Sequence, residues 1–335
     1  MSFHKSMMQR CLQLAKNGLG TTRPNPLVGC VIVHEGKIIG EGWHQKAGEN
    51  HAEINAINSV ENKDLLPFSS LYVNLEPCSH FGKTPPCAHA IAQHKIPRVY
   101  IGTTDLASHV NGQGIEYLKN HHTKVKTGIL SSECLHLNRR FFTNQLKSRP
   151  YIILKWAQTQ NHFFAPIDDS QQWISSVYAK QLVHFWRSQE DGILVGRKTL
   201  EIDQPQLNVR LWAGLNPKKF FLSLKKNNES FDEFESFFKE NIALDKDEFS
   251  KALKILYKNG TCSLIIEGGA KTLQSFIDFN LWDEARIITS PSIWQEGIKA
   301  PEITNFSKRQ EINLIQKETL TTYFNHEFKL PEYQK

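Results

Sequence analysis

Three residues with the chemistry of metal ligands and one carboxylate stand close together in the first half of the chain. His51 precedes Glu53 by two positions, and Cys78 and Cys87 follow downstream. One imidazole and two thiolates can hold a tetrahedral zinc and leave its fourth position for water, as catalytic zinc sites do. Glu53 is placed to exchange protons with that water without being a ligand. The pattern therefore predicts hydrolytic deamination of a base, with Glu53 as the catalytic residue and His51, Cys78 and Cys87 as the metal ligands.

The spacing of the two cysteines narrows this prediction. Nucleic-acid and cytidine deaminases usually carry Cys-x-x-Cys, whereas eight residues, SHFGKTPP, separate Cys78 from Cys87. This long form, together with PNPLVGC at 24–30 and GWHQKAG at 42–48, strongly resembles the bifunctional deaminase/reductase of riboflavin biosynthesis. The resemblance covers nearly all of the chain and is most specific in residues 23–90.

The resemblance implies two α/β domains in one chain. Residues 1–147 would form a zinc-dependent pyrimidine deaminase domain with a cytidine-deaminase-like three-layer α/β/α fold. Residues 148–335 would form an NADPH-dependent reductase domain that is similar in fold to dihydrofolate reductase. The first would hydrolyse the 2-amino group of 2,5-diamino-6-(5-phosphoribosylamino)pyrimidin-4-one, and the second would reduce the ribosyl arm to ribityl.

Four residues around the zinc motif correspond to family positions that bind the pyrimidine and its phosphoribosyl arm: Asn25, His44, His80 and Lys83. An asparagine side chain can bond to a base edge, and a lysine offers a point charge to a phosphate. Two plainer interpretations remain open, since Asn25 could cap the loop between two prolines and Lys83 could be solvated.

In the second half, the sequence IIEGGA at 265–270 predicts a strand that runs into a glycine turn and a helix. Such a turn can present backbone amides to a phosphate, although many bind nothing. Carried over by resemblance, the NADPH contacts are Ala157, Trp173, Thr199, Asp203, Gly268 and Gly269. The substrate contacts are Arg187, Leu207, Arg210 and Glu267. The stretch 160–171 departs from the family pattern, with Gln171 where a serine is expected.

Strands and helices alternate along the chain, which predicts mostly parallel sheets covered on both faces. In the first half the expected strands are 28–33, 37–42, 71–75, 99–102 and 125–128, with a tight turn at Glu35-Gly36. A domain boundary is predicted in the polar segment 144–150. Beyond it we expect strands at 151–157, 192–196 and 264–266, a helix at 173–189, and a variable surface excursion at 224–249.

Composition limits the partners. The formal net charge is +6, and the basic residues are scattered rather than arranged in a stripe, which argues against nucleic-acid binding. The six cysteines have no disulfide-like spacing, which fits a reducing cytoplasm, and no stretch resembles a signal peptide or membrane span. We expect a small-molecule substrate as the partner. A homo-oligomer, either a dimer or a tetramer, is compatible with the sequence.

Two alternatives differ in class from this prediction. Residues 150–335 could be a redox-inactive structural or dimerising module, a possibility that the altered 160–171 stretch supports. A nucleoside or tRNA deaminase is disfavoured by the long cysteine spacing and by the absence of a basic stripe with interleaved aromatics.

Overall fold

The structure is a computed structural model that describes residues 2–79, 85–106, 112–168, 172, 174–222, 234–237 and 245–326. His80, Lys83, Gln171 and Trp173, which the sequence analysis singled out, lie outside the described residues. The chain divides into two compact units, the first ending at Leu146 and the second beginning at Lys147. Among the described residues, no helix combines the length and apolar character that crossing a membrane requires.

The first unit is built on one five-stranded sheet. Its strands are β1 (Gly29–His34), β2 (Lys37–Trp43), β3 (Ser70–Leu75), β4 (Arg98–Thr103) and β5 (Lys124–Lys126), in the order β2-β1-β3-β4-β5. Its helices are α1 (Phe3–Ala15), α2 (Ala52–Ser59), α3 (Cys87–Gln93), α4 (Gln113–Asn120), α5 (Ser131–Leu137) and α6 (Arg139–Lys147).

Alternate residues of β1 point to opposite faces of this sheet, and each face is covered by helices. Cys30 and Ile32 belong to the core that packs under α2, α3 and α4, whereas Val31 and Val33 belong to the core under α1 and α5. The strand is therefore apolar throughout, as expected for a strand buried on both sides. This arrangement confirms the predicted three-layer α/β/α fold.

The prediction of a mostly parallel sheet is wrong for this unit. β1 pairs antiparallel with both β2 and β3, and only the β3–β4 and β4–β5 pairs are parallel. β1 and β2 are joined by Glu35 and Gly36, both with positive φ, and a two-residue turn can only return the chain antiparallel.

The second unit contains an eight-stranded sheet in the order β10-β9-β8-β11-β6-β12-β15-β14, in which all pairs from β10 to β12 are parallel and the last two are antiparallel. Its strands are β6 (Tyr151–Gln158), β8 (Gly192–Gly196), β9 (Lys218–Leu222), β10 (Phe234–Ser236), β11 (Ser263–Ile266), β12 (Glu284–Thr289), β14 (Lys308–Asn313) and β15 (Thr319–Phe324). The short strands β7 (Phe163–Ala165) and β13 (Ile298–Lys299) pair separately. The helices are α7 (Val177–Arg187), α8 (Arg197–Asp203), α9 (Lys246–Lys258) and α10 (Ala270–Asp278).

Several predicted boundaries in and before this unit are corrected. Helix α6 continues to Lys147, into the segment that was expected to be a linker. Helix α7 begins later than expected because Ser176 caps it, its side chain accepting a hydrogen bond from the Ala179 amide. The predicted surface excursion is wrong in part, since Phe237 and Phe249 are both buried in the core of the second sheet.

A buried ion-pair cluster stabilises the start of this unit. Asp283 accepts two hydrogen bonds from the Arg149 guanidinium, at 2.5 and 2.8 Å, one from Lys147 at 3.2 Å and one from the Ile152 amide at 2.9 Å. Burial opposes ionisation of Asp283, but Arg149 and Lys147 outweigh it and hold the pKa of this carboxyl below its usual range. The unit therefore requires residues that precede its first strand.

We predict that Asp283→Asn lowers the free energy of unfolding by about 3–5 kcal/mol at pH 7, because it leaves buried cations without their counter-charge. Since the folded-state pKa of Asp283 is depressed, its contribution is present above the unfolded pKa of about 3.9 and is lost as the pH falls through the lower folded value. Denaturant titrations of both proteins between pH 7 and pH 3 measure this. Asp278→Asn, at an exposed carboxylate, should change little; an equal loss in both variants would contradict the prediction.

Candidate active sites

The three predicted metal ligands lie together in the first unit. His51 immediately precedes α2, Cys87 opens α3, and Cys78 follows β3 by three residues. The Nδ1 atom of His51 lies 3.3 Å from the Cys87 Sγ and 3.5 Å from the Cys78 Sγ, and the three atoms all fall within 4.8 Å of one another.

This donor set fits zinc. Tetrahedral zinc with Zn–S near 2.3 Å and Zn–N near 2.1 Å separates its ligand atoms by roughly 3.6 Å, close to the distances found. The hydrogen bond with the Cys87 thiol, together with His51 and the Cys87 amide, lowers the pKa of Cys78 to about 4. One thiolate is therefore favoured before a metal binds, and a cation at this place would favour the second.

Glu53 lies in the first turn of α2 and is almost completely buried, with 3 % of its surface exposed. It hydrogen-bonds to the Cys87 thiol, so it lies at the metal ligands without being one of them. Burial, and then the nearby Cys78 thiolate, raises the pKa of Glu53 to about 7. A carboxyl with a pKa near neutrality can both accept and return a proton.

Two of the expected pyrimidine contacts also meet at this site. The His44 ring packs edge-on against the His51 ring, with centroids 5.4 Å apart, and its Nδ1 lies 3.0 Å from the Asn50 carbonyl. Because that carbonyl can only accept, Nδ1 carries the proton, and Nε2 accepts from the Asn25 amide at 3.1 Å. Burial lowers the pKa of His44, which keeps the ring neutral. The oxygen of Asn25 is thereby turned away from His44.

The loop that carries Asn25 is held by two buried asparagines that the sequence analysis did not single out. Asn138 accepts from the Leu27 amide at 2.8 Å, and both Asn138 and Asn74 donate to the Leu27 carbonyl at 3.0 Å. Asn74 also accepts from the Gly29 amide at 2.7 Å. An asparagine inside the apolar strand β3 was the available signal, because such a residue needs partners when buried.

The second unit contains a cavity of about 410 Å³. Seven of the residues expected to bind NADPH or substrate line it: Ala157, Arg187, Thr199, Asp203, Leu207, Arg210 and Glu267. Leu207 is buried and has φ +49°, a conformation that few non-glycine residues adopt and that often marks a functional loop. The structure therefore brings most of the expected reductase residues to one cavity.

A charged triad forms one wall of this cavity. The Arg187 guanidinium donates to both carboxylate oxygens of Glu267, at 2.9 and 2.8 Å, and to the Asn208 carbonyl at 3.2 Å. Lys155 lies 3.6 Å from the same carboxylate. Burial raises the pKa of Glu267, but Arg187 and Lys155 outweigh it and bring the pKa to about 2. Sequence reasoning did not place Lys155 in the site, although a lysine within the apolar strand β6 was a signal.

The glycine turn after β11 is shaped by close packing. A Cβ on Gly268 would lie 2.7 Å from the Gly196 amide nitrogen, so only glycine lets the ends of β8 and β11 approach. Gly269 caps α10 without a side chain, and a Cβ there would lie 3.3 Å from the Thr199 hydroxyl. The start of α10 therefore lies close to the Thr199 hydroxyl, and its first amides are hydrogen-bond donors of the kind that bind anions at helix N-termini.

Both halves of the chain match known families. Residues 1–103 match the family described as "Cytidine and deoxycytidylate deaminase zinc-binding region". Residues 150–321 match the family described as "RibD C-terminal domain". The first match contains His51, Cys78 and Cys87, and the second contains the residues that line the cavity.

Relatives and a solved structure match the chain over different lengths. The "Riboflavin biosynthesis protein RibD" of Aquifex aeolicus is 34% identical over 336 aligned residues, covering 93% of this chain and 94% of the relative. A "Diaminohydroxyphosphoribosylamino-pyrimidine deaminase" of Buchnera aphidicola is 49% identical over 143 residues, which is 43% of this chain and 96% of that one. The crystal structure of a deaminase/5-amino-6-(5-phosphoribosylamino)uracil reductase from Thermotoga maritima matches with a TM-score of 0.85 and 32% identity, covering 97% of this chain and 99% of that one.

Proposed function

Because the chain belongs to the RibD family of riboflavin biosynthesis, we propose that its two reactions take place at the two sites described above. The enzyme is bifunctional: it deaminates a diaminopyrimidinone that carries a phosphoribosylamino arm and reduces the ribosyl part of that arm, with Zn²⁺ and NADPH as cofactors. The observation that carries the proposal is the convergence of His51, Cys78 and Cys87 beside the buried Glu53.

In the deaminase site, His51, Cys78 and Cys87 hold zinc, which as a Lewis acid makes water more acidic. Glu53 accepts a proton from the water that adds to C2 of the pyrimidine and returns a proton to the 2-amino nitrogen. The C2–N bond then breaks, ammonia leaves, and C2 keeps the oxygen as a carbonyl. Asn25, oriented by His44, binds the pyrimidine edge. His80 and Lys83, which lie outside the described residues, stay proposed contacts of the phosphoribosyl arm.

The cavity of the second unit would hold NADPH, which when bound would supply the hydride that reduces C1 of the ribosyl unit. Ala157, Thr199, Asp203 and the Gly268–Gly269 turn bind the cofactor, with Trp173 proposed beside them although it lies outside the described residues. Glu267, kept ionised by its cationic neighbours, accepts hydrogen bonds from ribosyl hydroxyls.

Arg210 is the proposed anchor of the substrate phosphate. It lines the cavity and is exposed, and one of its nitrogens donates to the Asn208 side chain at 2.8 Å. Arg187 donates three of its five guanidinium hydrogens to Glu267 and Asn208, so fewer donors remain for a phosphate. Leu207, adjacent in the same loop, supplies an apolar contact.

We further propose that the activities reside in separable domains, residues 1–147 and 148–335. A fragment ending at Lys147 should fold, bind one zinc and release ammonia from the pyrimidine substrate without NADPH, because every proposed zinc ligand precedes residue 90. Metal analysis and an ammonia assay check this, with Cys87→Ser in the same fragment as the control that should lose zinc. Aggregation of the fragment, when the full chain is soluble, would contradict separability.

We propose that the enzyme assembles as a homodimer through strand β14. Among the described residues β14 pairs only with β15, and all six of its residues are exposed. In such a dimer the two copies of β14 would pair antiparallel about a two-fold axis at Gln310. Arg309 of each copy would then lie opposite Glu311 of the other, which gives two opposite-charge pairs.

A charge-reversal pair tests this dimer. Glu311→Lys should give a monomer, since it sets like charges opposite each other, and Arg309→Glu combined with Glu311→Lys should restore the dimer. Sedimentation velocity at micromolar concentration measures the mass of each variant. A monomeric unmodified chain, or a dimer that survives Glu311→Lys, would contradict the proposal.

We place the enzyme in the cytoplasm. None of the six cysteines, all of which lie among the described residues, forms a disulfide, and the proposed zinc site needs Cys78 and Cys87 reduced. Fractionation of the producing cell tests this placement. Recovery of the activity outside the cytoplasmic fraction would contradict it.

A further inference from the structure

A second buried carboxylate lies close to the zinc ligands, and the reaction described above does not use it. Glu76 is 5 % exposed and stands two residues before Cys78, at the end of β3. Its oxygens accept hydrogen bonds from backbone amides of a different part of the chain, namely Asp105, Gly112, Gly114 and Ile115, at 3.3, 3.1, 3.0 and 3.4 Å. The carboxylate thus connects the end of β4 and the start of α4 to the strand that leads to Cys78.

The same two segments also touch without any side chain between them. A Cβ on Gly114 would lie only 2.0 Å from the Pro77 carbonyl oxygen, so the first turn of α4 rests directly on the residue that precedes Cys78. Gly114 takes part in both contacts, since its amide also donates to Glu76 at 3.0 Å. The two contacts therefore act together on the peptide that leads to Cys78.

We propose that Glu76 is a positioning residue for the zinc ligand Cys78. It acts through the backbone: by binding four amides it holds α4 against Pro77, and Pro77 in turn fixes the direction in which Cys78 presents its sulfur. This inference rests on the proposed zinc site. It explains why a carboxylate is buried here with backbone amides as partners, an arrangement that would otherwise cost stability for no gain at the site.

The strength of metal binding should report this role. Residues that orient a metal ligand typically change metal affinity about 10- to 100-fold when they are replaced. Glu76→Gln keeps the size of the side chain but turns an NH₂ group towards amide donors, so the contact with α4 is lost on one side. Gly114→Ala keeps the Glu76 carboxylate but pushes α4 away from Pro77, and its Cβ would also lie 3.3 Å from Glu76 Oε1. Both variants should weaken zinc binding, because both loosen α4 from the segment that leads to Cys78.

Two control variants separate this role from general destabilisation. Asp191→Asn replaces a half-buried carboxylate of the second unit that accepts from the Cys262 and Ser263 amides, at 2.8 and 3.1 Å. Gly128→Ala strains a glycine with φ +89° whose Cβ would meet nothing within 4 Å. Neither touches the segment that enters Cys78.

The test is competition for zinc between the full-length protein and a chromophoric chelator. It is carried out at a temperature below the first unfolding transition of each variant. We expect the zinc dissociation constant to rise about 10- to 100-fold for Glu76→Gln and for Gly114→Ala, and to stay unchanged for Asp191→Asn and Gly128→Ala. NADPH-dependent reduction of supplied deaminated pyrimidine should persist in Glu76→Gln and Gly114→Ala. The positioning role alone is overturned if zinc affinity is unchanged in Glu76→Gln and Gly114→Ala. It is also overturned if Asp191→Asn weakens zinc binding to the same extent. Absence of zinc binding by the unmodified chain overturns the proposed zinc site as well.

Discussion

Replacing Glu53 by glutamine should lower the rate of ammonia release by roughly 10²-fold or more while zinc remains bound. Glutamine keeps the length of the side chain and can still hydrogen-bond, but it cannot accept and return a proton. Glu53 hydrogen-bonds to Cys87 and is not one of the three metal ligands, so its loss leaves the donor set complete. A zinc assay and steady-state kinetics on the same sample measure the two quantities together.

The reductase half supplies the control for this variant. Glu53→Gln should reduce supplied deaminated pyrimidine at the rate of the unmodified chain, because Glu53 lies in the other unit. Near-normal ammonia release would show that another group moves the proton. If zinc and activity are lost together, Glu53 is needed for zinc binding and the variant does not test its role in proton transfer.

Removing the guanidinium of Arg210 should raise the KM of reduction for the deaminated phosphate substrate by about ten- to a hundredfold. A hydrogen bond to a charged group is worth about 1.5–3 kcal/mol, which corresponds to that range. Holding the remote phosphate also places C1 for hydride transfer, so kcat should fall as well but by a smaller factor. Within the described residues Arg210 donates one side-chain hydrogen bond, to Asn208, and we propose that its other guanidinium hydrogens bind the substrate phosphate.

Ammonia release by the same Arg210→Ala sample is the matched control, because the deaminase site lies in the other unit. It should be unchanged. An unaltered KM for reduction would remove Arg210 from the substrate site and leave Arg187 as the candidate, despite its pairing with Glu267.

The proposed zinc ligands could be picked out because each is given by residue type and local spacing: His51 immediately precedes a helix, and Cys78 and Cys87 flank the sequence SHFGKTPP. The same holds for β6 and β8, whose short, mostly apolar runs favour buried strands. Elements whose limits depend on one capping residue, such as α7 at Ser176, were placed with less accuracy.

Contacts between distant segments could not be derived in this way. Glu76 looks like a surface residue until α4 is packed against it, and Phe249 looks like part of a polar excursion until the core of the second unit forms around it. The tight turn at Glu35-Gly36 was expected, but the overall alternation of strands and helices favoured parallel pairs, so the antiparallel pairing of β1 with β2 and β3 was not expected. In each case the deciding information is tertiary packing, which single-sequence patterns do not contain.

The central claim is that one chain carries out both reactions in sequence, and mass analysis of its products tests this most directly. Purified protein is incubated with 2,5-diamino-6-(5-phosphoribosylamino)pyrimidin-4-one, with and without NADPH. Without NADPH we expect ammonia and a product in which the 2-amino group is replaced by oxygen. With NADPH we expect that product to gain one hydride and one proton, with matching NADPH oxidation. Deamination without any NADPH oxidation would contradict the reductase and leave residues 150–335 as a structural module.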